Sequence, residues 1–175
     1  MIGIPAALVY HNVSEWVAHK YVLHGRGKKR RSFWSFHWHE HHAHSRRNEM
    51  IDEDYHRPWG WHAQGKEAVA LLAATAVHLP LLPIAPAFVL TYTACNLNYW
   101  RVHRKAHVDP AWARAHLPWH YDHHMGPNPD ANWCVTRPWA DRWFGTREVY
   151  VGTPREEADR ERRRARGVAV ASAAG

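Results

Sequence analysis

The hydrophobic pattern divides the chain at one long uncharged stretch. From Ala68 to Trp100 no charged residue occurs, which meets the length rule for one membrane span, but Pro80, Pro83 and Pro86 interrupt its centre. Proline cannot continue a helix, so the stretch predicts a helical hairpin: an arm from about Trp61 to Leu79, a turn over Leu79–Pro86, and a return arm from Ala87 through His107. Each arm is uncharged over only part of its length, which predicts a hairpin that dips into a bilayer. The bland alternative, the buried hairpin of a soluble helical protein, would carry more polar residues on its outer face. Ahead of the hairpin, Met1 to Gly25 reads as a helix, apolar to Val9 and closed by Gly25 as a C-terminal stop. A basic linker (Gly27–Arg31), a second helix (Ser32–Arg47) and a polar segment (Asn48–Arg57) follow. Behind it, Arg101–Arg147 closes rich in Trp, Pro and Gly. Thr153–Gly175 opens with interspersed charges and ends in Ala, Val, Ser and Gly, predicting a solvated helix and then a disordered tail. No strand-period alternation stands out. The expected class is all-α, with one domain over 1–152 and the tail over 153–175.

Composition sharpens this outline at two points. The chain holds 17 His and 11 Trp; imidazole is the commonest metal ligand, and indole collects at membrane interfaces. A net charge of +7 suits anionic partners such as phospholipid head groups or an acidic redox protein. Nucleic acid is not expected, because acidic residues interleave the C-terminal arginines and weaken any field of one sign. Cys95 and Cys134 have no metal-type spacing and suggest no disulfide framework, which fits a reducing compartment. Met1–Tyr10 lacks the basic start and the cleavage site of a signal peptide.

The histidines fall into boxes. His19 and His24 end the first helix; His37, His41 and His42 lie in the second; His103 and His107 end the hairpin's return arm; His120, His123 and His124 follow. Positions i and i+3 or i+4 share a helix face about 5–6 Å apart, close enough for two imidazoles to hold one ion. His19 and His24 are i, i+5, which in an α-helix turns the second ring away. In the second box, His37, His41 and His44 share one face and His39 and His42 another, so His39 is a rival ligand and His44 a surface or supporting residue. Together the boxes offer ten imidazoles, enough for two ions, and imidazole suits zinc, copper, iron and nickel. His11, His56, His62, His78 and His116 match no box and are expected to be structural.

In order, HKYVLH, HWHEHH, an apolar hairpin, HRKAH and HYDHH resemble the histidine boxes of the fatty acid hydroxylase/sterol desaturase superfamily of membrane oxygenases. The stretch Asn132–Thr146 also looks like that family's ending, although Cys134 stands where a glycine is usual. The resemblance runs from about Glu15 to Thr146 and favours His37, His41 and His42 as the second box's ligands. It implies a histidine-rich, cytosolic metal-binding cap over a membrane-associated hairpin. It also implies two iron ions and O₂, a lipid substrate hydroxylated at a C–H bond, and a separate electron donor of ferredoxin or cytochrome b5 type. Zinc could occupy the site as purified. The AHKY-x-x-HG stretch at Ala18–Gly25 is similar to small carotenoid hydroxylases, so a carotenoid ring is the alternative substrate. A histidine-rich zinc or nickel protein without redox chemistry is the alternative of another class. Basic residues flank both ends of the hairpin, which predicts a membrane protein with its metal site and both termini cytoplasmic. Glu15, Glu40, Asp122 and Asp141 are candidates to orient the ligating imidazoles, and Tyr99, four before His103, to line a substrate channel.

Overall fold

Proline and cysteine-free polar turns set the element boundaries. The computed structural model describes residues 2–58 and 60–173, with the side chains of 166–173 excepted. Four helices begin on proline, whose missing N–H is no loss in a first turn: α4 (Pro86–Val108), α5 (Pro110–His116), α6 (Pro118–Met125) and α8 (Pro154–Ala173). The other α-helices are α1 (Gly3–Val17), α2 (Ala43–Arg47), α3 (Ala63–His78) and α7 (Trp139–Trp143); no strand occurs among the described residues. The all-α expectation holds.

Helices α3 and α4 form the expected hairpin, joined through a short 3₁₀ turn at Leu79–Leu81. Helix α1 packs along α4 and meets α3 where Tyr10 stands beside His78. Gly3 approaches Phe88 and Ala87, while His11 lies beside Asn96, so α1 and α4 run parallel. Both therefore deliver their C-terminal ends, and the histidines there, to the same end of the bundle. No helix among the described residues is long and apolar enough to cross a membrane.

Gly25 caps the first helix as expected, although not in the left-handed conformation usual for such a stop. Its φ of −57° is helical, and the chain continues from α1 into a π-helix over Ala18–His24. The amide of Gly25 bonds to the carbonyl of Lys20, five residues back. The turn that follows is tight: a Cβ on Gly27 would lie 1.8 Å from the Leu23 carbonyl oxygen and 2.9 Å from that of Trp34. Only glycine fits there. A second π-helix, His37–His42, leads into α2, so the expected helix over Ser32–Arg47 begins later than its composition suggests.

Two apolar clusters brace this end of the bundle. One joins Met50, Ala106, Leu117, Tyr121, Met125 and Tyr150; the other joins Trp16, Trp133, Cys134 and Ala140. The charged C-terminal run forms α8, and its first turn is docked rather than solvated. Glu156 is buried there and accepts two hydrogen bonds from Arg114, at 2.6 and 2.8 Å.

Candidate metal centre

The ten box histidines are all buried, and the fold brings them together at the end of the bundle. They sort into two adjoining groups. Ring nitrogens of His19, His24, His37, His42 and His123 all lie within 4.8 Å of one another, as do those of His41, His103, His107 and His124. His120 joins the second group, its Nε2 3.1 Å from His107 Nε2. The groups touch where the His42 and His124 rings stack at 4.4 Å.

This sorting departs from the α-helical expectation. A π-helix closes i to i+5, so it puts His19 and His24 on one face, ring centroids 5.0 Å apart, instead of turning the second away. The second π-helix does the same for His37 and His42, at 4.9 Å. His37 and His41, one face of an α-helix, consequently serve different groups. The regular helices α4 and α6 give the i, i+4 pairs His103/His107 and His120/His124 to the second group.

Second nitrogens fix the tautomers. His19 Nδ1 donates to the Trp133 carbonyl (2.6 Å), His123 Nδ1 to that of Ala131 (2.6 Å) and His107 Nδ1 to that of Met50 (2.8 Å). His41 Nδ1 donates to Asp52 (2.8 Å), His103 Nδ1 to Glu67 (2.7 Å) and His24 Nδ1 to Asp130 (3.2 Å). Each oxygen acceptor requires the proton on Nδ1, which leaves Nε2 a bare lone pair aimed inward.

Those lone pairs then face one another. His24 Nε2 lies 3.0 Å from His42 Nε2, and His123 Nε2 lies 3.1 Å from the same atom; one proton on His42 cannot bridge both. His41 Nε2 and both nitrogens of His124 are buried without any partner. An unpaired buried polar atom costs about 1–3 kcal/mol. A cation removes the conflict: two imidazole nitrogens bound at right angles to one ion at about 2.1 Å stand about 3 Å apart. The residues thus fit metal, and both groups could hold an ion.

Burial also keeps the ligands neutral. It lowers the pKa of His19, His37, His42, His107, His120, His123 and His124 well below the usual histidine value, with neighbouring imidazoles adding to the effect. For His24 burial outweighs the Asp130 carboxylate, and the pKa falls to about 4. Imidazoles that stay unprotonated at neutral pH are ready to ligate.

The other candidates lie elsewhere. His39 bonds to the Lys28 carbonyl at 3.2 Å, outside both groups, and the partly exposed His44 ring stands 3.4 Å from Asp52. Glu15, Asp122 and Asp141 bond to none of the ten box imidazoles. Glu15 accepts from the amides of Val135 and Thr136, Asp141 from those of Trp133 and Cys134, and Asp122 from that of Val151. All three secure the backbone of the C-terminal loops. By binding the Trp133 and Cys134 amides, Asp141 also holds the peptide whose carbonyl His19 needs. Glu40 pairs loosely with Lys66 at the surface. Tyr99 does pack on His103, at 5.4 Å between centroids. His62, His78 and His116 bond to nearby backbone carbonyls, and His11 to Glu15 and Asn96.

The carboxylates that do orient ligands, Asp52, Glu67 and Asp130, went unread in the sequence. Glu67 carried a signal: with Lys66 it is the only charged residue of α3, and a carboxylate at the head of an apolar arm needs a partner. Tyr55, which donates to Glu67 at 2.6 Å and stacks on His107, gave none.

An apolar cavity of about 290 Å³ opens between α1, α3 and α4. Val22, Leu23, Phe36, Leu71 and Ala74 help to wall it, and so do His19 and His37 of the first group and His103 of the second. Comparison with protein-family models, curated proteins and solved structures yields no match, so the functional reading rests on the chain's own residues.

Proposed function

We propose that the chain is a di-iron, O₂-dependent oxygenase that hydroxylates a C–H bond of a lipid. The observation that carries this reading is the apolar cavity, whose wall includes histidines of both groups. A closed structural metal site has no need of a ligand-sized apolar approach; a site that oxidises a hydrocarbon chain does. Iron held by the two groups would supply the activation of O₂ that attack on an unactivated C–H bond requires. The protein's own contribution is positional. Trp133, Ala131 and Met50 carbonyls and the Asp52 and Glu67 carboxylates lock the imidazoles, while the aliphatic wall excludes water and aligns a chain.

A lipid surface is the natural source of that chain. Ile2 just before α1, Ile4 and Leu8 within it, Leu72 and Val77 of α3, Leu79 and Ile84 of the turn and Leu90 and Leu97 of α4 are all exposed. An apolar surface this extended on three neighbouring helices favours seating in a bilayer. Lys28 to Arg31 and Arg101, Arg104 and Lys105 lie near the histidine end, where they would attract an acidic electron donor on the cytoplasmic side.

Anaerobic purification followed by metal analysis, O₂ uptake with a chemical reductant and mass spectrometry of added fatty acids or carotenoids tests the reading. Two irons per chain and an oxygenated product are expected. Stable zinc or nickel with no O₂ uptake, even after iron reconstitution, would establish the non-redox alternative.

A further inference from the structure

The largely apolar cavity carries polar side chains at its metal end, Tyr55, Glu67 and Tyr99 beside the histidines, and a second polar run farther along α1 and α4. His11 Nδ1 lies 3.0 Å from Glu15, His11 Nε2 lies 3.1 Å from the Asn96 side-chain amide, and Asn96 donates to Thr75 Oγ1 at 2.9 Å. His11, Glu15 and Asn96 are nearly fully buried, and all three line the cavity. An amide has four hydrogen-bonding positions, and the contacts to His11 and Thr75 fill two of them. Apolar side chains of similar volume would fill this space without the desolvation cost.

The position of the run is set by the parallel packing of α1 and α4. Along α1 it is about 12 Å from His11 to His19, and along α4 about 10 Å from Asn96 to His103, at a rise of about 1.5 Å per residue. Two walls of one cavity thus place the polar groups at nearly the same separation from the two histidine groups.

We propose that the Asn96 amide, held in place by His11, forms a recognition station for a hydroxyl or carbonyl group of the substrate. The inference rests on the oxygenase reading and deepens it. The preferred substrate is a long-chain lipid bearing an oxygen function about 10–12 Å from the carbon that is oxidised. It enters with that function away from the metal end, and the station acts as a ruler that sets the site of hydroxylation. Asn96 is a specificity-determining residue and His11 its positioning residue; neither is catalytic. The competing role, a polar clasp between α1 and α4, predicts lost stability without any choice among ligands.

Native mass spectrometry of the detergent-released protein with 1-dodecanol competing against 1-chlorododecane separates the two. These probes share a chain and differ in the hydroxyl. Wild type should hold the alcohol about tenfold better, the scale of one net hydrogen bond. Asn96→Leu and His11→Phe should each erase that preference while retaining the chloride. Should Asn96→Leu fail to fold by circular dichroism, His11→Phe decides alone. Equal retention of both probes by wild type, no retention of either, or a preference that survives His11→Phe overturns the proposal. The measurement needs neither iron nor turnover. A protein that shows the preference but never oxygenates a lipid would sink the functional reading and leave the station standing.

Discussion

The two histidine groups touch, yet their surroundings differ. The first hangs on i, i+5 pairs in π-helices and is backed by the Trp133 and Ala131 carbonyls and by Asp130, which is half exposed and already paired with Lys28 at 2.7 Å. The second draws its i, i+4 pairs from regular helices and is backed by the Met50 carbonyl, the buried carboxylate of Asp52 and the largely buried one of Glu67. Burial pushes the Asp52 carboxyl up, but the hydrogen bonds it accepts from His41 and the Asp54 amide, with the neighbouring imidazoles, hold the group below its usual range. Two carboxylates in a poorly screened interior favour a divalent cation far more than carbonyl dipoles do. The second group should therefore bind its ion more tightly, and the first should exchange and open more readily.

Removing one ligand from each group gives the largest effect. His123→Ala should release the ion of the first group and His120→Ala weaken that of the second. Either should abolish turnover, because the proposed chemistry uses both ions. His56→Ala, outside both groups, should keep two irons and full activity. Metal content per chain and O₂ uptake check this, and full activity in His123→Ala would sink the two-ion assignment.

The spacing of the histidines made the boxes legible, and the three prolines made the hairpin legible, because both rest on local rules. How the boxes divide was not legible. The α-helical period pairs His37 with His41, whereas the π-helices assign them to different groups, and no composition rule announces a π-helix. Asp52, Glu67 and Asp130 escaped because each meets its histidine from a separate element, through tertiary packing. Proximity in sequence instead drew notice to Glu15 and Asp122, which secure backbone.

A smaller effect tests the carboxylate half of the comparison. Glu67→Gln keeps the shape and one hydrogen-bond acceptor but removes the charge behind His103. Loss of such an outer partner typically weakens metal binding 10–100-fold. Chelator competition should show that loss for the second ion only. The amide nitrogen in place of the other oxygen would donate to the Tyr55 hydroxyl, which turns from donor to acceptor, so the melting temperature of the metal-free protein should move little. Equal weakening of both ions would mean that the charge is shared across the centre and that the groups are not electrostatically distinct.

Asp130→Asn should have the smallest effect, and its size measures how far the first group depends on charge. Asp130 bonds to His24 at 3.2 Å, but nearly half of its side chain faces solvent, and Lys28 engages both its oxygens. Solvent screening and the ammonium already cancel most of the field that a carboxylate would cast on an ion. Asparagine preserves an oxygen to accept from His24 Nδ1, so the tautomer and ring orientation should survive. The expected change is a few-fold loss in affinity for the first ion and none for the second, read by the same competition. The cation–π contact of Lys28 over Trp38, at 4.6 Å, should hold the lysine in place after the substitution. A loss as large as that from Glu67→Gln would show that Asp130 acts through its charge despite its exposure. The first group would then be a carboxylate-backed site like the second, and the predicted order of metal release would disappear.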